Sequence, residues 1–368
     1  MAVTLLPSLW RVSYFIFIYL VFFYLKSGLP VLTGLYLQAS QCRSIDLPKN
    51  KIGKATLASS DLVQVQGTSL PVSIWVWPYG EHFPLDICQS AYGITGCRMT
   101  ADRNLYDVAD AVVMHHVDIM YDKKSLPQKP RPYFQRWVWF NLEPPLIITN
   151  LYFLDNLFNL TMTFRQDSDI YIPYGRSETL KKPQNFTIPA KSKLISWVVS
   201  KLYTGSPREI YYEELKKHIQ IDMYGQRHTK LNKEDFHKTI SQYKFYLSFE
   251  NSIYKDYITE KFWSNAFNSW AVPVVLGPSR MNYERFMPGD AFIHVDDFSS
   301  PKKLAAYLLE LDKDEEQYKK YFNWRKYYRI KIEDGWAIWY CKACWALKQN
   351  REYQTIPSVA KWFLENGS

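Results

Sequence analysis

Short apolar, β-branched runs recur along this chain, separated by longer stretches in which apolar residues return every three or four positions. That is the pattern of strands alternating with helices. Tyr243 to Pro278 displays it most clearly. Lys244 to Phe249 is a β-rich run ending in the polar pair Glu250-Asn251, followed by a loop with Tyr254, Asp256 and Tyr257. Thr259 is the expected N-cap of a helix, with Glu260 and Lys261 in its first turn. Trp263, Phe267 and Trp270 stand at i, i+4 and i+7, one aromatic face. Ala271 to Leu276, closed by Gly277-Pro278, has the composition of a buried parallel strand. Polar groups therefore gather where a strand ends and a helix begins. Open α/β sheets bind ligands at that crevice, and a helix N-terminus favours anions.

The same alternation runs through the rest of the chain. Val72 to Trp77, Ala111 to Met114, Trp137 to Phe140 and a short run at Tyr171-Ile172 read as strands before a seam at Pro183 to Ala190. Leu194 to Val199, Ile219 to Met223 and Ala291 to Val295 read as strands after it. Helices are predicted around Tyr211 to His218, from Ser300 as cap with Pro301 at the first position, and from Glu315 to about Tyr328. No internal repeat emerges. The fold class expected is α/β, two doubly wound, Rossmann-like domains facing each other.

Ahead of them, Arg11 precedes the uncharged run Val12 to Leu25, and Lys26 a second uncharged stretch to Gln41. The first run is short for a bilayer crossing, so a cleaved signal peptide and a signal anchor compete. Bulky Tyr24-Leu25 offer no small-x-small cleavage site, which favours an anchor over residues 12–37 behind a cytoplasmic tail, residues 1–11. Residues 38–69, rich in Ser, Lys, Gln and Thr, read as a stem. The domains expected are 70–186 and 187–350, with a C-terminal segment 351–368.

A chain of 368 residues can build two cores. Its net charge of +9 admits nucleic acid, a membrane surface or an anionic small substrate. No basic block with interleaved aromatics and no zinc-finger or RNA-binding signature is present, which argues against nucleic acid. A diphosphate fits the excess. Of the five cysteines, Cys42 lies in the stem. Cys88 and Cys97 have eight residues between them, too many for a typical zinc pair, and neither they nor Cys341 and Cys344 have a suitably spaced His. In an oxidising lumen disulfides are the default. Asn159-Leu160-Thr161 and Asn185-Phe186-Thr187 are glycosylation sequons of the same compartment.

FYLSFENS (245–252), KDYITEK (255–261) and VPVVLGP (272–278), in order and in register, resemble the donor-binding signature of the α-1,3-fucosyltransferases, glycosyltransferase family ten. The resemblance extends from about Pro71 to Trp362. It implies the two-domain GT-B fold, the first domain holding the acceptor and the second the nucleotide. It also implies a Golgi type II membrane enzyme moving fucose from GDP-fucose to N-acetylglucosamine of lactosamine-type glycans, in α-1,3 linkage with inversion. The family's residues carry over as follows: Glu143, after the strand Trp137 to Phe140, is the catalytic base. Arg208 and Lys261 hold the diphosphate, Asn251 and Tyr257 donate to phosphate oxygens, Glu260 accepts from the ribose, and Tyr224 lies near the nucleobase. His115, His116 and Val117 stand in the acceptor loop, and Val117 departs from the Arg or Trp of relatives. Trp270 departs too, where relatives carry small residues. Cys88 and Cys97 would each bond one of Cys341 and Cys344, with the order open. Asp167-Ser168-Asp169 matches a metal-binding pattern but resembles a structural DSD of the family, so no metal and no cofactor is expected. A catalytically silent glycan-binding relative and a transferase using another sugar nucleotide are the rival readings.

Overall fold

The structure, a computed structural model, describes residues 69–333 and 335–365. The expected anchor, nearly all of the stem and Cys42 lie outside them. Among the described residues no helix is long and apolar enough to cross a membrane.

Two parallel sheets form, each around its own core. The first contains β1 (Leu70–Ile74), β2 (Cys97–Thr100), β3 (Ala111–His115), β4 (Arg136–Asn141), β5 (Leu160–Thr163) and β6 (Ile170–Tyr171), in the order β2-β1-β3-β4-β5-β6. An antiparallel ribbon of β7 (Gly175–Thr179) and β13 (Tyr328–Ile332) follows. The second sheet contains β8 (Lys193–Val198), β9 (Asp222–Tyr224), β10 (Tyr243–Phe249), β11 (Val272–Leu276) and β12 (Ile293–His294), in the order β12-β11-β10-β8-β9. The all-buried strands β3, β4, β10 and β11 are central in these orders, as their unbroken apolar runs require.

Helix α1 (Ile87–Tyr92) lies on the first sheet, while α2 (Pro207–Leu215) and α4 (Pro301–Lys313) lie on the second. Between them in the chain, α3 (Lys261–Asn268) is a π-helix that buries Phe262, Trp263, Ala266 and Phe267. Leu304, Leu308 and Leu311 of α4 pack on Phe245, Leu247 and Val274. Ser300 caps α4 as expected, its hydroxyl accepting from the Lys303 amide at 3.3 Å.

Four expectations are corrected. The helix from Glu315 ends at Lys320, and Tyr328 opens β13, because Tyr328, Ile330 and Ile332 alternate with exposed Arg329 and Lys331 and pair with β7. Residues 336–350, assigned to the second domain, belong largely to the first core. There α5 (Trp336–Gln349) and α6 (Val359–Glu365) pack on β1, β3 and β4. Cys88–Cys341 and Cys97–Cys344 bond α5 to α1 and β2, which resolves the pairing left open. Third, the aromatic face is shorter than expected: Thr259 caps the helix, its carbonyl accepting from the Phe262 and Trp263 amides at 3.1 and 3.3 Å, but α3 ends at Asn268. Trp270 falls beyond α3 at φ 59°, its ring 3.9 Å from the Arg325 guanidinium carbon, a cation–π contact that accommodates the large side chain. Fourth, Asn159 is fully buried, accepting from the Trp137 amide at 2.7 Å and donating to the Gln354 carbonyl at 2.5 Å. A glycan on that amide would need the space the 354 segment fills, so this sequon is a structural tie. Asn185, by contrast, is exposed.

Candidate active site

In each sheet the strand order reverses at one point, so that successive loops diverge and leave a crevice at the carboxyl ends of the strands. In the first sheet that point lies between β1 and β3, and in the second between β8 and β10. The loops that open there carry most of the polar residues singled out by sequence.

On the second sheet, β10 runs into Glu250 and Asn251. Glu250 is fully buried, a position that costs several kcal/mol unless the charge is matched. It accepts from the Thr259 amide and hydroxyl, both at 2.8 Å, and Lys261 Nζ lies 3.4 Å away. Burial pushes the Glu250 carboxyl above its ordinary range. Lys261 Nζ also donates to Glu260 at 2.9 Å and to the Thr259 hydroxyl at 2.9 Å. Burial opposes its charge, but Glu260 and Glu250 more than offset that and hold the ammonium protonated. Against its own desolvation, Glu260 is held below the ordinary carboxylate range by the same ammonium. Gly277 permits this packing, since a Cβ there would stand 2.5 Å from the Tyr283 hydroxyl and 3.2 Å from Glu250 Cγ.

Across the reversal point, Arg208 sits in the first turn of α2, buried, with Nη2 donating to the Lys201 carbonyl. Burial draws its guanidinium below the ordinary value, while Glu250, Tyr257 and Glu260 pull the other way. Its Nε, the Ser206 hydroxyl at the N-cap and Asn251 Oδ1 are buried without partners. Unpartnered polar groups of this kind are rare in folded proteins and are commonly matched by a ligand or water.

On the first sheet, β4 ends at Asn141, whose amide accepts from the Glu143 N–H at 3.2 Å and donates to the Glu143 carbonyl at 2.7 Å. That turn presents the Glu143 side chain half-buried. Tyr79, from the loop after β1, donates its hydroxyl to Glu143 Oε1 at 3.0 Å. At the end of β3, His115 Nδ1 lies 2.6 Å from Asp118 Oδ2, which also accepts the Tyr79 amide at 3.0 Å. His116 turns away and donates Nε2–H to the Thr149 carbonyl at 3.2 Å. Burial lowers its pKa to about 4. Val117 is half-buried in the short helix His116–Ile119.

Two tyrosines join the halves. Tyr174 donates to the Leu142 carbonyl at 2.8 Å, and its ring stands 6.3 Å from that of Tyr257. Burial raises both phenols well above their ordinary value, and the Glu143, Glu250 and Glu260 carboxylates push the same way. Asp256 clamps the loop: at φ 61° its carboxylate accepts from the Gln166 amide at 3.0 Å, Asn282 at 2.7 Å and Arg285 at 3.1 Å. Tyr254 reaches the Phe363 carbonyl in the first core.

With this geometry in view, the comparisons decide the family. Residues 68–175 match the model described as "Fucosyltransferase, N-terminal", and residues 188–362 match "Glycosyltransferase family 10 (fucosyltransferase) C-term". The chain belongs to glycosyltransferase family 10. It is 52% identical over 302 residues, 80% of each chain, to a 3-galactosyl-N-acetylglucosaminide 4-alpha-L-fucosyltransferase of Pan troglodytes. It is 50% identical over 300 residues, again 80% of each, to a 4-galactosyl-N-acetylglucosaminide 3-alpha-L-fucosyltransferase of Homo sapiens. A crystal structure of an alpha1,3-fucosyltransferase with GDP-fucose superposes with a TM-score of 0.52 at 18% identity, covering 83% of this chain and 96% of that one, a likeness of fold.

In this family 10 chain, Arg208, Tyr257, Glu260 and Lys261 gather around Glu250, which Asn251 follows in sequence, and the tyrosine pair leads from them toward the Glu143 turn. Tyr224 does not join them. It is the last residue of the edge strand β9, and its hydroxyl lies 2.8 Å from that of Tyr243 inside a buried cluster. Asp167 pairs with Arg165 at 2.5 Å, and Asp169 accepts from the Thr161 amide and hydroxyl at 2.7 and 2.8 Å, so both carboxylates of the DSD are engaged by the protein. Among the described residues no group of three or more His, Cys, Asp or Glu could hold a metal ion. Sequence reasoning gave no role to Glu250, Asp256, Asp118, Tyr174 or Tyr79. Glu250 and Asp256 lie within the quoted motifs, and their polarity at a strand end and a loop was the available signal. Asp118 closes the acceptor-loop run that begins at His115, while Tyr174 and Tyr79 gave none.

Proposed function

We propose that this chain transfers fucose from GDP-fucose to the N-acetylglucosamine of lactosamine-type glycans, in α-1,3 linkage with inversion. One observation carries the reading. Arg208 Nε, the Ser206 hydroxyl and Asn251 Oδ1, buried and unpartnered, flank the reversal point of the second sheet, while a carboxylate with one bonded oxygen follows β4 of the first, next to Leu142, whose carbonyl Tyr174 holds while its ring meets Tyr257. Lys261, Arg208 and the N-terminus of α2 supply fixed positive charge for the diphosphate as it departs. Asn251 and Tyr257 donate to phosphate oxygens, and Glu260 accepts from the ribose hydroxyls. Glu143 takes the proton of the acceptor hydroxyl as that oxygen attacks the anomeric carbon and the diphosphate leaves from the opposite face. A single displacement of this kind turns the β-linked donor into an α-linked product. Of the three acceptor-loop residues, His115 and Val117 border the acceptor side, with His115 and Asp118 beneath Tyr79, while His116 supports the loop from within. The two disulfides fit an oxidising lumen, in keeping with a Golgi type II protein anchored through residues 12–37.

The test is thermal stabilisation of the purified full chain by GDP against UDP, followed by transfer assays with GDP-fucose and a panel of lactosamine acceptors. Stabilisation by GDP alone and fucose incorporated on N-acetylglucosamine are expected. Equal response to UDP, or no transfer to any acceptor, overturns the reading.

A further inference from the structure

Tyr79 is held in an unusual way. It sits in the turn Pro78–Gly80 with φ 52° and ψ 23°, a left-handed conformation that costs a non-glycine residue free energy. Asp118 fixes its amide at 3.0 Å, and the same carboxylate oxygen faces His115 Nδ1 at 2.6 Å. The ring stands edge-on to His115, with centroids 5.1 Å apart, and 5.9 Å from Trp336. Trp336 is itself tied to Glu81 by a 2.8 Å bond from its indole N–H. Despite these supports the side chain is 51% exposed. Its hydroxyl donates to Glu143 Oε1. Partial burial first, then the Glu143 and Asp118 carboxylates, push the phenol well above its ordinary value, so it keeps the proton it donates.

We propose that Tyr79 gates the acceptor: in the substrate-free protein its hydroxyl holds Oε1, the oxygen of Glu143 turned toward the half-exposed Tyr79, and the acceptor's hydroxyl takes that oxygen rather than the unbonded Oε2. The inference rests on the reading of Glu143 as the base. An acceptor sugar approaching Oε1 must displace the phenol, giving up one hydrogen bond to an ionised group before its own is made. Half-exposed, Tyr79 can swing aside without unpacking a core, and its ring then offers a face to the sugar. The gate thus favours acceptors that gain enough contact elsewhere on the aromatic surface to offset the bond they break.

The test uses Tyr79→Phe in the full chain, which keeps the ring and deletes only the hydroxyl. Initial rates are measured with GDP-fucose and N-acetyllactosamine. The gate predicts that kcat/KM for the acceptor rises about tenfold or more, the size of one hydrogen bond to an ionised group. The KM for GDP-fucose and the thermal shift given by GDP stay at wild-type values. A residue that merely supports the fold would not yield a gain. Unchanged or reduced kcat/KM in Tyr79→Phe overturns the gate. Glu143→Gln separates the two claims. If it stays active, the base assignment is lost and the gate with it. If it is inactive while Tyr79→Phe is no faster than wild type, the gate alone is lost.

Discussion

Replacing Lys261 by methionine is the sharpest probe of how the second half of the site is held. Methionine keeps much of the stem's bulk but removes the ammonium that lies 3.4 Å from Glu250 and 2.9 Å from Glu260. The Glu250 side chain is 0% exposed and that of Lys261 15%, so solvent screens the pair little. Breaking a buried pair by deleting one partner costs about 3–5 kcal/mol, and the two Thr259 bonds that Glu250 retains place the expectation near the lower end, about 3 kcal/mol. At roughly 2–4 °C per kcal/mol for a domain of a few hundred residues, the melting temperature falls by about 6–12 °C at neutral pH. The pH dependence follows from Glu250. Its folded-state pKa is already raised by burial, and losing Lys261 raises it further. A group raised in the folded state favours the fold below its unfolded value and withdraws that contribution as pH rises through the folded value. The deficit of Lys261→Met is therefore full at pH 7.5 and closes as pH falls toward about 4.3, where Glu250 is protonated in either state. Adding Glu250→Gln removes the stranded charge and recovers more than half of the loss. Differential scanning fluorimetry of the three proteins from pH 4.5 to 8 reads all of this. A single variant within about 2 °C of wild type at pH 7.5 refutes the reasoning, as does a deficit that neither closes in acid nor responds to Glu250→Gln.

Other consequences are as direct. His116, with a folded-state pKa of about 4 against about 6.5 unfolded, favours the fold as a neutral ring. Its contribution, about 3 kcal/mol, is whole above about pH 6.5 and lost as pH falls toward 4, so urea midpoints of His116→Gln should fall less steeply over that range than those of wild type. Asp256→Ala removes three accepted bonds from a left-handed residue and should cost about 2–4 kcal/mol by urea unfolding, with Asp256→Asn costing less because Asn tolerates that backbone. Non-reducing peptide mapping should recover Cys88 linked to Cys341 and Cys97 to Cys344, and reduction should lower stability by up to about 5 kcal/mol for one bridge and about 3 kcal/mol for the other, since the first closes a loop of some 250 residues and leaves the second only a short one. The exchanged pairing, or no effect of reduction, contradicts the docking of α5.

Much of this architecture was legible because it rests on local pattern. The buried runs of β3, β4, β10 and β11 are continuous enough to be strands in any context, and Ser300-Pro301 announces a helix start by its own chemistry. What escaped depends on partners distant in sequence. Tyr328 to Ile332 alternates like a strand, but it directly follows a charged helical stretch, and its partner lies about 150 residues earlier. The segment that forms α5 falls to the nearer domain by its place in the sequence, and the disulfides to Cys88 and Cys97 carry it back to the first core. Asn159 carries a sequon in its three residues, yet the segment around Gln354 decides its exposure. The site divides the same way. Asn251, Tyr257, Glu260 and Lys261 lie within eleven residues and were read together, whereas Tyr79 and Asp118 join Glu143 only because two loops diverge at one crevice. Tyr224 was assigned from its short motif alone, and the edge position of β9 turned its hydroxyl to Tyr243.

The most direct test of the central claim, a proton taken by Glu143 opposite a cationic diphosphate site, is transfer from GDP-fucose to N-acetyllactosamine by Glu143→Gln, with GDP-induced stabilisation measured on the same preparation. The account predicts turnover lower by about 10²–10⁴-fold with the GDP shift intact. Turnover within a few fold of wild type, with GDP still bound, would contradict it.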